Sequence, residues 1–359
     1  MRMRTLIEFS LVFCSALEIP ALAQENATAA QPSASHSIVL DVVVTDKSGK
    51  PVSGLQQEDF SVLDNKTPAK ITAFHATGDT TDVADSPRQV IFVVDAVNGS
   101  QQGLVLEQQQ LRKILQQDRG HLDLPTSLVI LTDRSSQIQP QPTLNGNDLA
   151  NALNASTAPH VTGAPHLLRG TDGHVGADRL QISTHTLQEI IRYAETQSGR
   201  KFLIWLGPGW PLLTASGQTP GLAESQKLFH IVVAISQQLR EARLTLYAVD
   251  PSDVSALTYY YQSFLKGVTE PKKVDYGNVA VQVLAIQSGG LVLHYSNDLQ
   301  KMIATSLADA KAYYTLSLDA APADHPDEYH ALQVKVDKPG LTARTRTGYY
   351  AQPYPAAGH

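Results

Sequence analysis

The chain has 359 residues, a hydrophobic fraction of 42% and a formal net charge of −6. This length accommodates one large domain with an additional module, and the apolar content suffices for a packed core, which excludes a wholly disordered chain. The negative charge, without any cluster of Lys and Arg in the sequence, argues against a nucleic-acid partner, because phosphate binding needs a concentrated basic surface.

The N-terminal segment has the features of an export signal. Arg2 and Arg4 precede a mostly apolar stretch, and the small residues Ala21 and Ala23 fit a cleavage site. We therefore expect residues 1–23 to be a signal peptide and the protein to be secreted or periplasmic after cleavage near Ala23. The single cysteine, Cys14, would leave with the signal, so we expect no disulfide and no cysteine-bound metal. No later apolar run has the length of a membrane span, so we expect none.

The next segments predict a linker and a small β unit. Residues 24–36 are small and polar, which is typical of a linker. Residues 37–78 contain short stretches of alternating apolar and polar residues separated by turn-forming residues, and these predict an N-terminal antiparallel β segment. A second linker containing Pro and Asp, "GDTTDVADSPRQ", follows this segment.

Residues 88–310 alternate between strand and helix patterns. Strands are predicted at 90–94, 127–132, 201–206 and 244–250, with helical stripes between and after them. This alternation predicts an α/β domain with a doubly wound, mainly parallel sheet. Residues 311–351 return to three strands. Because a three-stranded sheet alone is marginally stable, we expect this C-terminal β segment to pack with the N-terminal one as a β-sandwich.

Residues 90–95 form a β-branched run that ends in Asp95, as a buried parallel strand does at the carboxyl edge of a sheet. Together with "GRKFLIWLGPG", "LYAVDP", "VSGLQQEDFSVLDN" and "IQSGGLVLHYSNDLQKMI", this order of elements resembles a von Willebrand factor type A domain. In particular it resembles the VWFA-related proteins that are abundant in acidobacteria, over almost the whole chain after the signal. The resemblance implies a Rossmann-like α/β fold and a role in protein–protein interaction or adhesion.

Type A domains bind a divalent cation through a D-x-S-x-S loop and further oxygen ligands, because hard cations need converging oxygens. In this sequence Asp95 matches the leading aspartate, whereas Val97 and Gly99 stand at the two serine positions. A "TDG" motif occurs before the middle strand rather than after it. The degenerate site that the resemblance implies, for Mg²⁺, Mn²⁺ or Ca²⁺, consists of Asp95, Asn98, Ser100, Thr171 and Asp172. Two alternatives stay open for Asp95, namely a retained relic without metal or a residue that caps the first helix.

The segment from about residue 157 to 178 predicts a long binding loop on the same sheet edge as Asp95. It contains several histidines, but no pair has the i, i+4 spacing of a helical zinc site, so a solvated surface loop is favoured over zinc. We expect His166 and His174 of this loop, and Trp210 just beyond the middle strand, to contact the partner, a protein or a cell-envelope component.

The sequence contains neither a G-x-S-x-G nucleophile elbow nor a phosphate-binding Walker loop. We therefore expect an exported, non-enzymatic binding protein that acts through the loops at the carboxyl edge. One alternative is a structural envelope protein with an inert site. Another is a metal-assisted hydrolase that uses Asp95, Asp250 and the loop histidines. The oligomeric state stays open.

Overall fold

A computed structural model describes residues 37–77, 88–132, 136–156, 173–210, 219–251, 256–294 and 296–353. The predicted signal peptide and the linker 24–36 lie outside these residues. The same holds for His166, Thr171 and Asp172, and for the side chain of His174.

The strands and α-helices of the described residues are numbered in chain order. The strands are β1 Ser37–Thr45, β2 Phe60–Asp64, β3 Thr67–Ala69, β4 Ile71–Thr77, β5 Arg88–Asp95, β6 His121–Leu131, β7 Ser136–Ile138, β8 Thr143–Asn145, β9 Arg200–Leu206, β10 Leu244–Val249, β11 Val292–Leu293, β12 Tyr313–Asp319, β13 Glu328–Val336, β14 Thr342–Arg344 and β15 Gly348–Ala351. The helices are α1 Gln101–Leu115, α2 Gly146–Ser156, α3 Gly173–Glu195, α4 Leu222–Glu241, α5 Val281–Gln287 and α6 Leu299–Ala308. None of these helices combines the length and the apolar character needed to cross a bilayer.

The central sheet has the strand order β11-β10-β9-β5-β6-β7, and β8 also pairs with β6. Strands β5, β6, β9, β10 and β11 run parallel, while β7 and β8 are antiparallel to β6. Strands β6 and β7 are added on one side of β5, and the later strands β9, β10 and β11 are added on its other side. This is the doubly wound arrangement. The expected mainly parallel α/β sheet is therefore confirmed, and its topological switch point lies between β5 and β9.

Helices cover both faces of the central sheet. Leu203 and Trp205 of β9 belong to the core formed with α3, α4 and α5, whereas Phe202 and Ile204 of the same strand belong to the core formed with α1, α2 and α6. Successive side chains of a strand point to opposite faces, so a strand covered on both sides is apolar at nearly every position. This is why the middle strand "RKFLIWL" is buried along its whole length.

Two antiparallel sheets accompany this domain, with the orders β14-β1-β12-β4 and β15-β13-β2-β3. Each contains strands from both ends of the described chain; for example, Leu40 of β1 faces Leu316 of β12, and Val62 of β2 faces Val334 of β13. Buried residues of both sheets form one apolar cluster, which includes Leu40, Val62 and Leu316. The two chain segments therefore share a core, as the predicted sandwich requires.

Ion pairs connect the sandwich to the amino edge of the central sheet. Asp41 of β1 accepts a hydrogen bond from Arg243 at 2.5 Å and lies 3.7 Å from Arg200 Nε of β9. Arg344 of β14 pairs with Asp309, which follows α6, at 2.5 Å. The fully buried Arg200 also lies against the rings of Phe202 and Tyr313. We call this set of contacts the junction.

Several predicted boundaries differ in the structure. The segment expected to be a loop up to residue 178 becomes helical at Gly173, where α3 begins. Helix α6 is capped by Asp298, whose Oδ1 accepts from Lys301 N at 3.0 Å. The three-residue strands β3, β7 and β8 are absent from the sequence-based prediction because they are too short to show an alternating pattern.

Candidate functional site

Asp95 is the last residue of β5 and lies at the switch point, where open α/β sheets place their ligands. Only 1% of its surface is exposed. The backbone that follows β9 packs closely against Asp95. Gly207 has a φ of +125°, and a Cβ at this position would lie 3.1 Å from Asp95 Cβ. A side chain at Gly207 would therefore be strained by its backbone conformation and crowded against the carboxylate-bearing carbon.

Four N–H groups donate hydrogen bonds to the carboxylate of Asp95. The backbone N–H groups of Val97 and Asn98 each donate to Oδ1 at 3.0 Å. The Asn98 amide donates to Oδ2 at 2.8 Å, and the Trp205 indole Nε1 donates to Oδ2 at 3.0 Å. An ionised carboxylate has about four lone-pair positions, so these donors account for its whole accepting capacity.

Two opposing effects act on the protonation of Asp95. Burial raises its pKa above the ordinary value, because the apolar surroundings disfavour the charged form. The hydrogen bonds from Asn98, Trp205 and Val97 act in the opposite direction, since they stabilise the carboxylate. The carboxylate of this buried acid is stabilised by N–H dipoles, and the nearby guanidinium group of Arg179 attracts it as well.

The described members of the predicted metal set do not fit a cation site. Asn98 directs its Nδ2 to Asp95 and, at 2.9 Å, to Ser183 of α3. Asn98 Oδ1 is buried without a partner among the described residues, so it is a single available neutral oxygen. The exposed Ser100 accepts from Gly103 N at 3.0 Å and is the N-cap of α1. A divalent cation needs several oxygens converging on one point, whereas N–H donors converge here.

The rest of the predicted ligand set, Thr171 and Asp172, lies outside the described residues. Within the described part of the chain, no group of three or more His, Cys, Asp or Glu side chains is placed to hold a metal ion. Of the two alternatives for Asp95, the helix cap is wrong, because Ser100 caps α1 and Asp95 closes the preceding turn.

The expectation that Trp210 is exposed is wrong. Its side chain is 3% exposed, and its indole donates to the carbonyl oxygen of Val279 at 2.7 Å. Its ring meets Trp205 edge-on, with the ring centroids 5.0 Å apart. The segment before α5 covers the end of β9, so Trp210 is a core residue and the reason for placing it on a partner surface is removed.

Glu107 of α1 is a site residue that the sequence reasoning missed. It is 3% exposed, and burial together with the charges of Asp250 and Asp95 raises its pKa to about 8. The protonated form therefore predominates at neutral pH. A signal was present in the sequence, because Glu107 follows Leu104 by three residues and precedes Leu111 by four, which places it on the buried face of the helix.

Exposed apolar side chains occur on three elements that each follow a strand of the central sheet. Helix α1 follows β5, α4 follows β9, and the 3-10 helix Ala256–Phe264 follows β10. Most of the large apolar side chains that are exposed among the described residues belong to these elements, namely Val105, Leu106, Leu222 and Tyr260. We call these four side chains the apolar rim.

Comparisons with solved structures return proteins of low similarity. The structure is similar to a von Willebrand factor type A protein from Catenulispora acidiphila, with a TM-score of 0.35 and 12% identity over 88% of this chain and 75% of that chain. It is also similar to the human COPII-coat protein Sec24c, with a TM-score of 0.36 and 10% identity over 78% of this chain and 46% of that chain. The chain thus spans less than half of the Sec24c structure.

A third similar structure is the PilB minor pilin from Streptococcus sanguinis, with a TM-score of 0.33 and 12% identity over 65% of this chain and 62% of that chain. No protein-family model matches the chain, and no curated protein matches it. Membership of the VWFA-related family therefore stays a prediction from the sequence.

Proposed function

We propose that the protein is an exported, non-enzymatic binding protein that recognises a protein or an envelope component at the carboxyl edge, without a cation at Asp95. The single observation that carries this proposal is the complete set of N–H donors around the Asp95 carboxylate. A carboxylate that is fully hydrogen-bonded inside the protein is not available to be shared, through a metal, with a carboxylate of a partner.

The apolar rim supports recognition by direct contact. Leu222 is 81% exposed and Leu106 is 51% exposed, although large apolar side chains are normally covered in the folded state. Both lie on elements that begin at the edge where α/β folds bind their ligands. Burial of such side chains against a partner would supply binding energy that needs no metal ion.

The state of two acidic groups supports the non-enzymatic part of the proposal. Asp95 is buried and its carboxylate already accepts four hydrogen bonds. The protonated form of Glu107 cannot act as a general base at neutral pH. A hydrolase that used Asp95 and Asp250 would depend on the half-buried Asp250, because Asp95 is closed to substrate and water. Generic carboxylic-ester and phosphate-ester substrates provide the check, and turnover that is lost in Asp250→Asn would contradict the proposal.

Site-specific photo-crosslinking in the producing cells tests the binding surface. A photoreactive phenylalanine derivative replaces Leu106 or Leu222 in the apolar rim, and replaces Leu144 in the control. Leu144 is 47% exposed and lies in β8, which pairs with β6 from its amino-terminal residue His121 to Thr126.

We expect a discrete covalent adduct from the two rim positions and none from Leu144. Equal adducts from all three positions would contradict the assigned surface. The absence of any adduct from the rim, with normal folding and export of the variants, would instead favour the structural envelope protein.

A further inference from the structure

A small polar cavity lies at the junction, on the side of the central sheet opposite to Asp95. Its volume is about 10 Å³, which is the space of roughly one water-sized sphere. The side chains that matter for its chemistry are Asp41, Arg240, Arg243, Thr245 and Arg346. It is therefore a cavity between the sandwich and the α/β domain, rather than a groove on one of them.

Positive charge exceeds negative charge around this cavity. Asp41 accepts from Arg243 and lies 3.7 Å from Arg200, so one carboxylate serves two guanidinium groups. Arg346 is a third guanidinium group, and it is only 8% exposed. Asp41 also attracts Arg346, so one carboxylate faces three guanidinium groups, while Arg240 pairs with Glu241 at 3.0 Å. Buried positive charge in excess of its counter-charge is costly, so this arrangement calls for an anion.

Two guanidinium N–H groups at the cavity lack acceptors, although the Nη2 atoms of the same arginines donate to Glu241 and Asp41. The Nε atoms of Arg240 and Arg243 are both buried and have no hydrogen-bond partner among the described residues. The hydroxyl of Thr345, a further lining residue, donates to the carbonyl oxygen of Asp41, and the hydroxyl of Ser288 donates to that of Ala285. Buried donors are normally satisfied, so the unpaired N–H groups require an acceptor that no protein atom supplies.

The protonation behaviour of the neighbouring bases agrees with this charge excess. Burial, followed by the nearby charge of Arg240, lowers the pKa of Arg346 to about 10. Burial and the charge of Arg243 also lower the pKa of Lys201 to about 8. Positive groups that repel one another in a buried place are stabilised by any anion that enters between them.

We propose that this cavity binds one chloride ion, held by Arg240, Arg243 and Arg346, which links the sandwich to the α/β domain. A chloride ion is only slightly larger than a water molecule and accepts hydrogen bonds from all directions. Sulfate and phosphate carry several heavy atoms and exceed the available volume. A neutral water molecule would satisfy a donor but would leave the excess charge uncompensated.

The test uses the folded chain freed of chloride by dialysis into sodium gluconate. Sodium chloride is then titrated at constant ionic strength, while thermal unfolding and the line width of the chloride NMR signal are recorded. We expect the melting temperature to rise with chloride and to saturate, and the chloride signal to broaden in the presence of the protein. Sodium sulfate at the same ionic strength should produce no saturating rise.

Two variants separate the proposed site from general salt effects. Arg346→Met should lose the chloride-dependent rise and the line broadening, and in gluconate it should be at least as stable as the parent, because part of the excess buried positive charge is removed. Arg192→Met removes an exposed arginine of α3 and should respond to chloride as the parent does. An equal response of Arg346→Met and parent, or no response of the parent, would overturn the proposal.

A measurement on the unchanged protein covers the case in which Arg346→Met fails to fold. Crystals grown without halide are soaked in sodium bromide, and bromide is located by its anomalous scattering. A peak between Arg240, Arg243 and Arg346 would support the site, whereas a cavity without such a peak at saturating bromide would overturn it. A saturating response to sulfate equal to that to chloride would also overturn the assignment to a monoatomic ion.

Discussion

The indole Nε1 of Trp205 donates a hydrogen bond of 3.0 Å to Oδ2 of Asp95, and both residues are almost completely buried. The bond joins the last residue of β5 to the neighbouring strand β9 across the switch point of the sheet. The position that the resemblance assigns to a metal ligand is thus occupied by a carboxylate whose partners are an indole, a side-chain amide and two backbone N–H groups. In this arrangement the carboxylate of Asp95 has a structural role, because it connects β5 to β9 at the carboxyl edge.

Asp95→Asn should destabilise the protein by about 2–4 kcal/mol, because the introduced Nδ2 would face the N–H donors of Asn98 and Trp205. Urea unfolding measures the change. Asp148→Asn, at an exposed position in the first turn of α2, is the matched control and should change the free energy of unfolding by less than about 0.5 kcal/mol.

Urea unfolding of a double variant can isolate the energetic contribution of the contact between Asp95 and Trp205. In a Trp205→Phe background, Asp95→Asn should cost about 1–2 kcal/mol less than in the parent, since the opposing indole donor is gone. Strictly additive effects of the two substitutions would show that the indole and the carboxylate are not energetically coupled.

Glu107 should make the stability depend on pH. Its pKa is raised to about 8 in the folded state and is ordinary in the unfolded state, so its contribution to stability is full below the unfolded value and is lost as the pH rises through about 8. Between about pH 6 and pH 9 the parent should lose about 2–3 kcal/mol through this group. Chemical denaturation over this pH range measures the loss.

Glu107→Gln keeps the shape of the protonated side chain and should remove most of that pH dependence. Glu195→Gln, at an exposed position of α3, should leave it unchanged. A pH profile of Glu107→Gln that is identical to the parent's would show that Glu107 is ionised at neutral pH.

Asp41 should be the most sensitive residue of the junction. Asp41→Ala leaves Arg200 and Arg243 without their carboxylate and should cost about 3–5 kcal/mol, because one partner of a buried ion pair is removed while the other stays. Thermal unfolding measures the effect. Asp319→Ala, at the exposed end of β12, should change stability by less than about 0.5 kcal/mol, and an equal small effect at Asp41 would show that the junction contributes little.

The central sheet was predictable because buried strands such as "VIFVV" and "KFLIWL" are continuous apolar runs, and the periodicity changes clearly to that of helices between them. The pairing of both chain ends in one sandwich was also predictable, since neither β segment is stable alone. Edge strands of three residues, such as β7, left no pattern to recognise. The order of the strands depends on long-range packing that no local signal encodes.

The site was predictable only in part. The alternating pattern places Asp95 at a strand end, but its partner Trp205 lies 110 residues further along the chain, and no local rule connects the two. Trp210 was misplaced because residues after a strand are usually exposed, whereas here the segment that contains Val279 covers it. Glu107 was missed although its helical spacing from Leu111 indicated burial, because a charged residue is rarely fully buried.

Thermal unfolding in EDTA, and then in excess magnesium, manganese or calcium, tests most directly whether Asp95 binds a cation; the metals are added as acetate salts so that chloride is constant. A cation bound at about 100 times its dissociation constant would stabilise the folded state by about 2.7 kcal/mol, which is easily seen as a rise in melting temperature. Because N–H donors already use the accepting capacity of Asp95, we expect the same melting temperature in EDTA and in each cation. A cation-dependent rise in the parent that disappears in Asp95→Asn would contradict it, and would show that Asp95 exchanges its N–H partners for a metal ion.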